Sequence, residues 1–395
     1  MKYWRGYLVA GIFLAISWAL HQLAQAHSIL VDMIYPYMTR LVINALADWS
    51  GAMSFCLWQV VIVLMVLLGL VSIILMIILR WNPIQWLGWV LATISLVAML
   101  NTGLYSLNAY ASPLADDVRL TVEYYTTTEL SEATIYFRDK ANALAQSVTR
   151  DAKGNPDFGS FEELAAQAGE GFEYLTYEKA ISVFSGSTAP VKKLTFHSSY
   201  TLRRDSGVTV PLTGEACVNP DVPAALLPFA MCKEICHRMS IYSEQDAQFG
   251  AFLAGIYHSS PAFQYSAYLT AYRECYDALL ATPTSTAQAC AKEADSGVTA
   301  QLRTDLEAYT DFYGNTKPTP VSKSRSTAET TADPETSEPL ETTQPLITYS
   351  EYETVADLLT SWYIQEFITP LHVEQEAPFN PLDPNQVDLT VKEKK

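Results

Sequence analysis

Charge is scarce in this chain. Acidic and basic side chains make up 17% of its 395 residues, against roughly 25% in soluble domains, which excludes a wholly water-soluble body. Positive charge is scarcer still, with 25 Lys and Arg against 42 Asp and Glu and a formal net charge of −17. Phosphate neutralisation needs a basic surface, so a nucleic-acid binder is set aside. No phosphate loop, dinucleotide fingerprint or Ser-His-Asp pattern occurs.

The charge that exists is unevenly placed. Residues 1–111 carry only Lys2, Arg5, Arg40, Arg80, Asp32 and Asp48, leaving 21 basic and 40 acidic residues for 112–395, a net of −19. The chain therefore reads as a membrane anchor, 1–111, followed by an acidic globular part. The clearest span is 56–79, where Gln59 is the one strongly polar side chain. As a helix it reaches about 36 Å, enough for a hydrocarbon core of about 30 Å. Arg80-Trp81-Asn82-Pro83 interrupts it and 84–104 follows as a second span, Pro83 suiting a turn or a first helical turn.

A first apolar stretch, about 7–26, is open to two readings. Lys2 and Arg5 precede it and Leu23-Ala24-Gln25-Ala26 closes it, as in a cleavable signal peptide; the alternative, an uncleaved helix, is the reading that the resemblance given below favours. Both readings orient the chain alike. Lys2, Arg5 and Arg80 mark the cytoplasmic side, so the N-terminus is inside and the large domain outside the plasma membrane. Residues 27–55, with Ile29, Leu30, Met33, Ile34, Leu41, Val42 and Leu46 near helical spacing, are expected to lie along the outer surface, on lipid or on the domain. Three spans are expected in all.

Beyond 112 the reading is mainly helical. Thr126…Glu129 and Ser160…Glu163 are capping boxes, and Leu130, Phe137, Ala141, Leu144 and Val148 share one helical face. Residues 192–200 and 207–212 are β-branched, short and bounded by turn residues, as strands are. Helices are expected at 226–239, 243–257 and 265–280. Residues 316–345, without an aromatic and rich in Thr, Ser, Pro and Glu, are expected to be a disordered insert between a 112–315 domain and a helix within 346–373 that packs back on it. A capping box at Ser350…Glu353 would open that helix, and 374–395 reads as a loose tail. Cys275 and Cys290 bracket a turn-rich stretch and are candidates for a disulfide.

The informative stretch is 211–253, PLTGEACVNPDVPAALLPFAMCKEICHRMSIYSEQDAQFGAFL. Within it Lys233-Glu234-Ile235-Cys236-His237 is one residue away from HExxH, where two histidines on one helical face hold zinc and the Glu is general base. Together with the PLTGEA-V-N loop, LPF and E-x-D-A-Q-F, it resembles the bacterial membrane family called domain of unknown function 3810, whose members carry a zincin-like HELAH followed by EDEANF. GLYSLNAY at 103–110, Gln264–Tyr268 and YSEYETVADLLTSWY at 349–363 extend the likeness. The resemblance implies retained membrane helices, an extracytoplasmic α+β zincin-like domain with a small sheet, and a cleft built on this motif. It places Glu234 at the general-base position and His237 and Asp246 at metal-ligand positions. Phe249, Phe252, Leu253 and Ile256 are expected to form the inward face of the helix that follows, so Asp246, three residues before Phe249, should point inward and Glu244 outward. Glu215 and Asn219 of the motif loop are candidate binding residues.

The departures decide the expected chemistry. Lys233 stands where the first ligand histidine belongs, and an ammonium has no lone pair for a metal and is repelled by it. Lys233 is thus expected to replace the ion as the cationic centre, paired with Asp246 or Glu234, leaving a non-catalytic binding or scaffold module without cofactor. The lipid bilayer and a peptide or cell-envelope ligand would be its partners. The alternative is an active zinc metallopeptidase with substitute ligands such as Cys232 or Cys236, although those cysteines are rotated off the 233/237 face. His197, on the expected 192–200 strand, is a more distant candidate.

Overall fold

The computed structural model describes residues 4–122, 124–186, 189–314 and 354–369. Four long N-terminal helices come first: α1 (Arg5–Ala26), α2 (Ser28–Gly51), α3 (Leu57–Ile78) and α4 (Pro83–Leu104). All four are long and apolar enough to cross a membrane by length and composition, one more than the three expected. Asp32, Arg40 and Asp48 break the apolar run of α2 and Pro36 lies inside it, which is why its sequence does not read as a span.

The four helices are not equivalent. The α3–α4 hairpin turns at Arg80, whose φ is 52°, and Asn82 caps α4 by accepting from Ile84 N at 2.9 Å and Gln85 N at 3.3 Å. Helix α1 runs parallel to α4. Its Gly6 approaches so closely that a Cβ there would sit 2.4 Å from the Gly88 carbonyl carbon, and at the other end His21 Nδ1 is 3.3 Å from Tyr110 Oη. The C-terminal ends of α1 and α4 and the N-terminal end of α3 therefore share one side, the side of the folded domain. Helix α2 starts one residue after α1 and stops five before α3, so both its ends lie there too. One flank of α2 is buried on the domain: Arg40 Nε donates to Met239 O at 3.2 Å and Arg40 Nη1 to Ser182 O at 3.0 Å.

After a short turn α5 (Leu114–Asp117), the domain builds α6 (Thr127–Ser147), α7 (Phe161–Gln167), α8 (Glu170–Tyr177), α9 (Ser198–Arg203), α10 (Leu227–Arg238), α11 (Glu244–Ile256), α12 (Pro261–Ala281), α13 (Ser285–Ser296), α14 (Ala300–Tyr313) and α15 (Val355–Tyr363). The capping boxes at Thr126 and Ser160 form as their sequences require. Around α6, α11 and α12 the core is aromatic: Phe137 meets Phe252 edge-on at 5.5 Å, and Trp362 of α15 lies 6.1 Å from Phe137 and 5.0 Å from Phe252. The cap of α15 is Thr354 with Asp357; the expected Ser350…Glu353 cap lies outside the described residues. So do the 316–345 insert and the 374–395 tail.

The small sheet has the order β1-β3-β2. Strand β1 (Lys192–Lys193) is parallel and β2 (Gly207–Val210) antiparallel to the central β3 (Glu215–Val218). The expected strand 192–200 is thus cut to two residues. Gln59 of α3 reaches in and its Oε1 accepts from Thr195 N at 3.0 Å and Phe196 N at 3.4 Å, and the chain then turns into α9. Strand β3 is buried at all four positions, so it has no alternating pattern, and its Gly and Pro flanks disguise it as a loop. Cys275 and Cys290 are not joined in the structure, where both are free thiols. Cys275 is buried in the core and interacts with Thr360 of α15.

Candidate functional site

Helix α10 opens with Pro228 in its first turn and packs on α11, β2 and β3. Lys233 and His237, four apart, project from one face into a cleft of about 740 Å3. Ser206–Thr209 leading into and along β2 form one wall, Glu244 and Gln248 of α11 another, and Glu274 of α12 and Tyr313 of α14 also contribute. Tyr105, the residue after α4, closes the end nearest the long helices.

The centre of the cleft is a network of fixed charges. Lys233 Nζ is 2.8 Å from Glu244 Oε1 and 3.6 Å from Glu234 Oε1. His237 Nε2 is 3.2 Å from Glu244 Oε2, and its Nδ1 is 2.9 Å from Ile241 O. Burial disfavours the imidazolium, but the Glu244 hydrogen bond and the Glu234 and Glu244 charges outweigh it and raise the His237 pKa. Burial likewise opposes the Lys233 ammonium, and the same two carboxylates keep its pKa above the ordinary value. For Glu244, desolvation is overcome by the His237 hydrogen bond and the Lys233 charge, holding the carboxyl well below the usual range.

Glu234 is buried beneath this layer. Thr209 Oγ1 donates to its Oε2 at 3.0 Å, and a Cβ on Gly207 would stand 2.8 Å from its Cγ, so the strand can lie on Glu234 only because residue 207 is glycine. Deeper in the wall, burial and the neighbouring Asp277 charge push the Glu274 carboxyl up to about 7, against Arg273.

Of the two partners expected for Lys233, Glu234 is there at 3.6 Å, but Asp246 is not part of this network. Glu244 holds the place next to Lys233, and Asp246 lines a different cavity of about 650 Å3 with Arg40 and Asp117. Nearly all of α11 is buried, on every side, so its apolar residues do not mark which side faces the cleft. Two positions at about 100° each turn Asp246 roughly 200° from Glu244, whereas Gln248, one turn on, donates to Glu244 Oε1 at 3.1 Å.

The motif-loop residues lie outside the cleft lining. Glu215 caps α3, accepting from Leu57 N at 2.7 Å and Trp58 N at 2.9 Å, and pairs with Lys192 Nζ at 2.7 Å. Asn219 Nδ2 donates to Thr201 Oγ1 at 3.1 Å and Asp205 O at 3.2 Å, fixing the approach to β2. His197 pairs with Asp221 at 2.9 Å. Cys232 and Cys236 are buried in the core, where burial raises both thiols. Of the other lining residues, Tyr105 lies in the GLYSLNAY stretch and Gln248 in E-x-D-A-Q-F, both of which carry the resemblance, whereas Glu274 and Tyr313 fall outside those motifs.

On this face of α10 an ammonium stands at position 233, and both nitrogens of His237 are engaged, Nδ1 by Ile241 O and Nε2 by Glu244 Oε2. Among the described residues no group of three or more His, Cys, Asp or Glu is disposed to hold a metal ion. What the arrangement can do is present a neutralised, hydrogen-bonding floor beneath an open wall.

A family model described as Protein of unknown function (DUF3810) matches residues 32–325, roughly three-quarters of the chain, from within α2 to beyond α14. No curated protein and no solved structure matches.

Proposed function

The chain belongs to the family of proteins of unknown function DUF3810, and we propose that it is a membrane-anchored, non-catalytic binding module. Its domain is zincin-like and faces outward, and Lys233 occupies the place of a zinc ion. The observation that carries this reading is the Lys233 ammonium, 2.8 Å from Glu244 and 3.6 Å from Glu234. A side-chain cation satisfies the carboxylates that a metal would otherwise neutralise, and His237 is turned to the same carboxylate.

Orientation follows from charge. Arg5 opens α1 and Arg80 lies in the turn between α3 and α4, both at the end remote from the domain, and Lys2 precedes α1 in the sequence; the positive-inside rule assigns that end to the cytoplasm. The shared placement of its two ends and the buried Arg40 contacts favour α2 as a platform on the outer surface rather than a span.

A peptide or cell-envelope ligand would lie along β2, the edge strand that borders the cleft, by main-chain pairing. Strand β1, at the other edge of the sheet, offers only two residues, Lys192 and Lys193, for such pairing. The rival reading, an active metallopeptidase with substitute ligands, predicts one zinc per chain.

Elemental analysis of the purified full-length protein separates the two readings. We expect no stoichiometric zinc in the parent and gained zinc affinity in Lys233→His. Chelator-sensitive proteolysis by the parent would defeat the proposal.

A further inference from the structure

Cys56 and Cys217 are far apart in the chain and adjacent in the fold. Cys56 immediately precedes α3, Cys217 is the third residue of β3, and their Sγ atoms stand 3.2 Å apart. They are 1% and 0% exposed. With Leu194 they form a small apolar cluster of their own, packed by Trp58, Tyr200 and Val208.

Both backbones are pinned where they meet. Glu215, two residues before Cys217, accepts from the amides of Leu57 and Trp58, the two residues after Cys56. Cys217 is also held in the ladder between Lys192 of β1 and Val208 of β2. A disulfide needs a sulfur separation of about 2.05 Å, so the sulfurs have little more than an ångström to close, within reach of small side-chain rotations.

We propose that Cys56 and Cys217 form an intramolecular disulfide that fastens the domain-side end of α3 to the central strand. The oxidant is a disulfide-bearing thiol oxidant, R–S–S–R, of the compartment outside the membrane; in this respect alone the proposal rests on the outward orientation. The thiolate of Cys56 attacks one sulfur of R–S–S–R, giving a mixed disulfide and releasing R–SH. Cys217, giving up its proton, then attacks the Cys56 sulfur and releases the second R–SH. Two cysteine thiols lose two electrons and two protons, and the oxidant takes up both. Because the folded site is sealed, the bond forms as the chain folds and afterwards resists reductants until the protein unfolds.

The test uses full-length protein extracted from its native membrane in the presence of N-ethylmaleimide, denatured and digested without reductant. Mass spectrometry is expected to find the Cys56 and Cys217 peptides joined and to lose the joined species after reduction. Cys56→Ser and Cys217→Ser should each abolish it and lower the unfolding temperature to the same extent as the double variant. Maleimide on both cysteines of the membrane-derived protein would overturn the proposal. Protease digestion of intact cells tests the orientation separately: a domain protected from external protease would defeat that reading whichever state the cysteines are in.

Discussion

Glu244 holds Lys233 at 2.8 Å from the neighbouring helix, and that one ion pair accounts for the state of the cleft. Four residues further along α10, His237 shares the same carboxylate at 3.2 Å. An ammonium and an imidazole on one helical face thus converge on a single anion, with Glu234 beneath as the second counter-charge.

Removing the ammonium should leave Glu234 buried without its cation. Breaking a fully buried pair costs about 3–5 kcal/mol, but Glu244 is half exposed, so we expect Lys233→Met to lose about 1–2 kcal/mol. Denaturant unfolding of the detergent-solubilised protein measures this. A loss below about 0.5 kcal/mol, the range of ordinary surface substitutions, would show that the network is not coupled to the fold.

The His237–Glu244 pair should give stability a bounded pH window. The folded His237 pKa is raised, so its contribution is complete below the ordinary value of 6.5 and fades as pH rises through the folded value. The folded Glu244 pKa is depressed, so its contribution is complete above the ordinary value of 4.5 and fades as pH falls through the folded value. The gap in unfolding temperature between the parent and His237→Asn should therefore be widest between those two ordinary values. A gap that is flat from acid to alkaline pH would remove His237 from the ion pair.

Coupling between Lys192 and Glu215 should be strong, since the pair is buried and Glu215 also caps α3. Glu215→Ala is expected to cost about 3–5 kcal/mol. In a double-mutant cycle, Lys192→Met on that background should cost much less than Lys192→Met alone. Additive losses would mean that the two side chains act independently.

Truncating Trp362 tests the docking of α15. The indole is buried against Phe137 and Phe252, so Trp362→Ala should lose about 3–5 kcal/mol, read from the shift in unfolding midpoint. An unchanged midpoint would mean that α15 contributes little to the core.

Much of this was legible in the sequence. Thr126 and Ser160 announced their helices through side chains acting within four residues, and the 56–79 run announced a long apolar helix by composition alone. Position 233 announced a cation wherever its partner lay. The rest depended on contacts between distant segments. Glu244 and Asp246 could be told apart only by the angle at which α11 meets α10, because α11 is buried all round and its apolar face gives no direction. Strand 192–200 was shortened by Gln59, more than 130 positions earlier. Glu215 looked like a ligand-binding residue of a loop because its true partner, the end of α3, is nowhere near it in sequence.

Tyr105 is both the first residue after α4 and part of the cleft wall. With α4 read as a span, the end of the cleft that Tyr105 closes stands at headgroup height, with no stalk to lift it into the surrounding fluid. On the proposed outward orientation, a ligand would meet it by moving across the plane of the bilayer. Molecules already confined to that plane gain an advantage in encounter that freely dissolved ones of the same affinity do not share.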